Sequence, residues 1–286
     1  MSPSPLPLPR LERRELGSSL VVLADDGLDR AVGLSIAFTE RAGGASQGPF
    51  EGLNLGAHVG DDPDAVTANR RALIGAFGAG EAAVVMPNQV HGTRSVLVAS
   101  SSEEALAQAK AEAAEGADAV LSTAPGVGAL LCFADCVPVI VASPTGAFAV
   151  IHGGWRGVVA GIAPMAARQL AEVEAVQGGA FSDVEEALAH YNAYVGPYIH
   201  EECFAVGEDV AARFVERFGA GCLPQEGHVD LGAALAQDLE GIGMHPERIA
   251  DAGACTACAP DRFYSYRASG GTTGRHGAFA FRRARR

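Results

Sequence analysis

The sequence contains no apolar run long enough to span a bilayer, so nothing in it predicts a transmembrane helix. Its first residues, MSPSPLPLPRLERRELGSS, are rich in proline and lack a continuous apolar h-region. They read as a mobile tail over residues 1–20, followed by a single domain over 21–286, and not as a secretory signal. Charge is sparse: 19% of residues are charged, the proportion of a compact chain rather than a disordered one. Dense positive charge is missing except in the terminal RRARR, which reads as a solvated tail. The net charge of -13 repels phosphate backbones, which argues against nucleic acid as a main partner. With neither a membrane segment nor a signal, the expected location is the cytoplasm. There the six cysteines are reduced thiols, suited to metal binding or core packing rather than disulfides.

What is present is a chain of 286 residues, 48% hydrophobic, long enough to bury a sizeable core. No internal repeat or long linker follows the tail. VVLADD and GLSIAFT read as strands. DDPDAVTANRRALIGAF reads as a helix, with Asp62 as N-cap, Pro63 in the first turn, and Val66, Leu73 and Phe77 on one face. EEALAQAKAEAAEG reads as a helix closed by Gly116. DAVLS, VGALLCF, VPVIVA and AFAVIH follow as strands, SPTG turning the last two into a hairpin, and their near-continuous apolar character predicts burial on both faces. EDVAARFVERFG and LGAALAQDLEGIG read as later helices. Pro164 forbids one straight helix from Gly157 to Val176, and four nearby glycines favour a start near Pro164. HGGWRG, which holds the only tryptophan, is expected to be an irregular approach to a site. The pattern is one domain of mixed topology, not a βαβ repeat.

Three potential metal ligands stand where strands give way to turns: His91 in NQVHG, Cys136 in FADCVPV and His152 in AVIHGG. Two imidazoles and a thiolate suit zinc, with a fourth position left open. Alone, a strand-end histidine is more often a hydrogen-bonded structural residue, and a strand cysteine is usually core. Three motifs compete with this triad. GASQG, Gly44 to Gly48, matches a nucleophile elbow, but Ser46 is followed by QGPFEG rather than a helix, and HGG comes after the serine. His200 and Glu202 with Cys255 and Cys258 resemble the H-x-E…P-C-x-x-C of zinc deaminases, with Ala254 in place of the proline. Two histidines and a cysteine also describe a type 1 copper site, with Met86 as a possible axial ligand. The eight histidines include no H-x-H pair, so a full laccase copper array cannot be built.

FTERAGGASQGPFEGLNLGAHVGDDPDAVTANRRAL, NQVHG, ADCVPV, HGGWRG, VGPYI and CTACAPDRFYSYR with TGRHGAF resemble, in order, the blocks of the bacterial YfiH/YlmD family. That family is called laccase-domain or polyphenol oxidase, and also purine nucleoside phosphorylase with adenosine deaminase activity. The blocks run from about Phe38 to Phe281. Two departures are visible: Gly153 stands where alanine is frequent, and Ala268 where a second arginine is frequent.

The resemblance implies an α+β fold of mixed β-sheets packed as a sandwich with helices outside. It implies metal ligands at His91, Cys136 and His152, with Zn2+ bound and Cu2+ the alternative. The implied reactions are phosphorolysis of adenosine, inosine and methylthioadenosine, and deamination of adenosine; the partners are a small nucleoside and phosphate. Arg156 is expected beside the ligands, either on phosphate or holding Asp135. Arg41, Asn88, Gln89, Asp135 and Arg275 are expected to contact substrate, the arginines because guanidinium binds phosphate bidentately. Two other functions stay open: a copper-dependent polyphenol oxidase, and a factor editing cell-envelope precursors. Oligomeric state is not legible.

Overall fold

The computed structural model describes residues 3–17, 19–177 and 179–284, without the Gln177 side chain. In chain order its strands are β1 (Glu12–Leu16), β2 (Leu20–Ala24), β3 (Leu34–Thr39), β4 (Val84–Val85), β5 (Ser95–Val98), β6 (Ala119–Ser122), β7 (Gly128–Phe133), β8 (Val137–Ala142), β9 (Phe148–Gly153), β10 (Asn192–Val195), β11 (Ile249–Asp251) and β12 (His276–Arg282). The helices are α1 (Asp26–Val32), α2 (Pro63–Ala76), α3 (Glu103–Ala114), α4 (Trp155–Ala160), α5 (Ile162–Gln177), α6 (Val184–His190), α7 (Glu208–Phe218) and α8 (Leu231–Gly241). The strands form two six-stranded mixed sheets, ordered β1-β2-β3-β12-β7-β4 and β11-β10-β8-β9-β6-β5. The expected α+β single-domain sandwich is what the chain forms.

The apolar strands are buried on both faces, as their composition requires. Period-two alternation distributes the side chains. Ala129, Leu131 and Phe133 of β7 meet Val150 of β9 and Ile140 of β8 in the core between the sheets. Ala149 and Ile151 of β9 point the other way, onto Ala163, Ala167 and Leu170 of α5. Leu130 of β7 and Phe279 of β12 pack under Leu73 and Ile74 of α2. His152 shares the parity of Phe148 and Val150. Its ring therefore enters the space between the sheets, 5.3 Å from the Phe133 ring centroid.

Local signals fix several boundaries. The Asp62 carboxylate accepts the Asp64 N–H, and Pro63 occupies the first turn of α2. Gly161, at φ 81, closes α4 in the left-handed region; α5 then starts at Ile162 with Pro164 in its first turn, where no N–H is needed. The strand ahead of His91 is only two residues long, Val84–Val85.

Two expectations are corrected. Of the tail expected over 1–20, the described residues 3–17 are laid along the fold. β1 pairs antiparallel with β2, Leu6 is buried, and the Pro7 carbonyl accepts a hydrogen bond from Asn192. The strand ERREL alternates half-buried and exposed positions, and Arg13 reaches the buried Glu40, an acid that also needs Arg262. Nor is RRARR wholly solvated. Arg282 donates to the carbonyls of Thr123 and Thr145, and Arg283 pairs with Asp29; the last two residues lie outside the described residues. Among the described residues no helix is long and apolar enough to cross a membrane.

Candidate metal centre

Two chain crossings between the sheets build the centre. β7 lies in one sheet and β8 in the other, so residues 134–136 must step across the sandwich. The step is tight: Asp135 takes φ 86, uncommon for a non-glycine residue. It holds that conformation because its carboxylate accepts the Thr256 hydroxyl and the Arg267 N–H, both at 2.7 Å, while its carbonyl accepts Ile199 N–H. Cys136 is delivered by this turn. The second crossing runs from β4 to β5 and carries His91, the other non-glycine residue with positive φ among the described residues, at 59°.

Asp118 fixes both histidines. Its buried carboxylate receives the N–H groups of His91 (2.9 Å) and Gly92 (2.7 Å), which hold the crossing loop. The same carboxylate meets His152 Nδ1 at 2.7 Å, and its carbonyl accepts the His152 N–H. His152 Nε2 is thereby left for a ligand role, the arrangement by which a carboxylate orients a metal-binding imidazole. Sequence reasoning did not assign Asp118. Its signal is a carboxylate directly before a short, mostly apolar and fully buried strand, a position where a charge is retained only when paired.

The ligand atoms of His91, Cys136 and His152 all lie within 4.8 Å of one another. Cys136 Sγ is 3.8 Å from His91 Nε2, close to the roughly 3.6 Å N–S edge of a tetrahedral zinc site. Gly154 passes so near that a Cβ there would sit 2.6 Å from His91 Cδ2. This is the close approach that the glycines of HGGWRG imply. Burial resists ionisation of Cys136, but the His152 charge and hydrogen bonds from both histidines outweigh it and bring the thiol down to about 6. Burial likewise opposes charge on His152, and the Cys136 thiolate with Asp118 reverses this, raising it to about 9. A thiolate between two imidazoles, one braced by a carboxylate, fits a zinc-type ion by donor chemistry alone.

The centre forms part of the lining of a cavity of about 960 Å³. Arg70, Arg267 and Arg275 also line it; the one acid in the lining, Asp135, already has both oxygens engaged. Arg275 spends Nη1 on the carbonyls of Thr273 and Gly274, and Arg267 spends Nη1 on Ala205. Arg70 uses Nε on Leu55. The wall is cationic and includes the aromatic faces of Phe204 and Tyr266.

The expected site residues divide. Asn88, Gln89, Asp135 and Arg275 line the cavity, but the Gln89 amide is bound both ways to the Cys132 backbone and braces β7. Arg156 does not line it. WRG forms the first turn of α4 instead of an irregular loop, which turns Arg156 outward to stack 4.4 Å above Trp155. It does not hold Asp135, whose partners are Thr256 and Arg267. Trp155 itself packs against the core. Arg41 lies in a separate hollow with Gly43, Gly44 and Ser46, bound to the carbonyls of Pro260 and Glu51. Ser46 there is buried and hydrogen-bonded to Asn69, with a short 3₁₀ turn after it, so no nucleophile elbow forms. Glu202, Cys255 and Cys258 do gather, joined by Cys203 rather than His200, but none of them lines the cavity. Arg70 and Arg267 received no role from the sequence.

A two-sheet sandwich with a His-Cys-His centre in a cationic cavity defines a small-molecule site built around metal-type ligands. A family model described as multi-copper polyphenol oxidoreductase laccase matches residues 35–283, and the chain belongs to that laccase-domain family. It is 37% identical over 252 residues to a purine nucleoside phosphorylase of Deinococcus radiodurans, covering 86% of this chain and 89% of the relative. To the purine nucleoside phosphorylase YlmD of Geobacillus stearothermophilus it is 34% identical over 259 residues, covering 88% and 91%. The crystal structure of YlmD from that organism superposes with a TM-score of 0.78 at 28% identity, over 95% of this chain and 99% of the other. That of Bacillus licheniformis YfiH gives 0.79 at 25% identity, over 94% and 98%.

Proposed function

We propose that this chain is a zinc-dependent purine nucleoside enzyme of the cytoplasm. It cleaves adenosine, inosine and methylthioadenosine with phosphate, and deaminates adenosine. The observation that carries the reading is the sharing of one cavity by the His91–Cys136–His152 centre and three guanidinium groups. The names of the relatives point the same way.

In phosphorolysis a phosphate oxygen bonds to the ribose C1′ as the C1′–N9 bond breaks; the electron pair and a proton go to the purine. The products are free base and ribose 1-phosphate. Arg275, Arg70 and Arg267 hold the anion and offset its charge. Phe204 and Tyr266 offer faces for the flat base, and Asn88 an amide for its edge. His91, Cys136 and His152 would hold the zinc, which when bound supplies Lewis acidity and an activated water for loss of the C6 amino group. Asp118 keeps the proton on His152 Nδ1 and the lone pair on Nε2. Copper is the second metal that this donor set accepts, and Met86 lines the same cavity.

The test is chromatography of adenosine and inosine reactions with and without phosphate, beside an oxygen-consumption assay with a catechol after copper loading. The reading expects base release only with phosphate, ammonia release without it, and weak catechol oxidation. Strong four-electron reduction of oxygen with no nucleoside turnover would replace it with an oxidase.

A further inference from the structure

The resemblance of HEE and CTAC to a deaminase leaves a cluster of side chains that the cavity does not use. Glu202, Cys203, Cys255 and Cys258 place one carboxylate oxygen and three sulfurs within 4.8 Å of one another. Cys203 Sγ and Cys258 Sγ are 3.3 Å apart, and Cys258 Sγ is 3.5 Å from Glu202 Oε1. The edge of a tetrahedron of zinc–sulfur bonds is about 3.8 Å, so four donors at these separations are close enough to share one ion. The C-x-x-C spacing of 255–258 is the one that lets two sulfurs turn to a common centre. Cys255 Sγ also accepts the His200 N–H at 3.4 Å, which ties the cluster to the backbone beside it. Cys255 is buried and Cys258 exposed, which gives an ion a wall on one side and an entry on the other.

We propose that Cys203, Cys255, Cys258 and Glu202 form a second, structural site for a thiophilic divalent cation of the zinc type. The ion would fasten together two segments that bound the cavity. The segment leaving β10 is already bridged to the other through Tyr198 and Cys255, and Thr256 N–H bonds the Tyr198 carbonyl at 2.9 Å. From the first segment comes Phe204. From the second, Thr256 binds Asp135, and Arg267, further along the chain, stacks 5.3 Å over Phe204. A cross-link at the cluster thus positions a cavity wall without touching substrate.

The experiment uses the full chain, purified and zinc-reconstituted under reductant, with metal content measured after removal of loose ions. Wild type is expected to hold about two equivalents. Cys258→Ser, and the pair Cys203→Ser with Cys258→Ser, are expected to lose about one and keep the other; Cys136→Ala shows the reverse loss. Because Cys258 is exposed, its serine variant removes a ligand without opening the core. Cobalt substitution gives an independent readout: sulfur-to-cobalt charge transfer falls more in the double variant than in Cys136→Ala, since three thiolates are set against one. The proposal is overturned if reconstituted wild type holds a single equivalent that Cys136→Ala abolishes. It is equally overturned if intact mass shows a Cys203–Cys258 disulfide persisting under reductant.

Discussion

At the scale of single residues, Asp118 does more than any ligand to define the centre. One carboxylate braces the His91 loop through two backbone N–H groups and the His152 ring through Nδ1. Asp118→Asn keeps the size but loses the charge and one certain acceptor. Loss of such a ligand-orienting partner costs about 10- to 100-fold in metal affinity. Competition with a chelator of known affinity should show this, while the circular dichroism of the fold stays as in wild type. Cys136 gives a pH test. Its thiol is lowered to about 6, from an ordinary value near 9, by His152 and His91 against the opposing effect of burial. The sign is that a lowered value makes thiolate persist to lower pH. In metal-free protein, alkylation of Cys136 should therefore hold its rate as pH falls from 9 and drop by half only near pH 6. A midpoint near that of a free thiol would refute the pairing with His152.

At the scale of elements, the β4–β5 crossing, the β7–β8 crossing and the end of β9 deliver the ligands, and the first turn of α4 decides what stays outside. Gly154 sits between β9 and α4, with its missing Cβ against the His91 ring at 2.6 Å. Gly154→Ala is expected to displace His91 and remove most bound metal, measured by metal content on a protein that still melts cooperatively. The arginines separate by element too. Arg275→Ala should raise the phosphate KM roughly 10- to 100-fold, the worth of charge-assisted hydrogen bonds of about 1.5–3 kcal/mol. Arg156→Ala, on the outward face of α4, should leave it within about twofold. These elements show what the sequence could disclose. The strand block, Asp62 and Pro63 at α2, and the break before Pro164 were legible because each rests on periodicity or on a backbone rule a few residues long. His91, Cys136 and His152 could be picked out as strand-end residues inside distinctive blocks. The arginines could not be sorted, because which of them faces the cavity depends on the crossings between sheets. Asp118 stayed hidden for the same reason: only the pairing of β5 with β6 sets it beside the His91 loop. In the sequence β1 reads as tail because the five residues of ERREL carry no apolar run, yet β2 and Glu40 supply their partners.

At the scale of the whole molecule, two sheets and their outer helices hold a cavity in which a metal-type centre and a wall of three arginines face a common space. Neither half accounts for the arrangement alone: a structural metal needs no cluster of arginines, and an anion site needs no thiolate between imidazoles. The most direct measurement is the rate of base release from inosine by the full chain, with phosphate, in three forms: zinc-loaded, chelator-stripped, and stripped then restored. The account predicts turnover in the first, loss of nearly all of it in the second, and recovery in the third, with Cys136→Ala inactive throughout. Undiminished phosphate-dependent turnover in the stripped protein, or in Cys136→Ala, would contradict it.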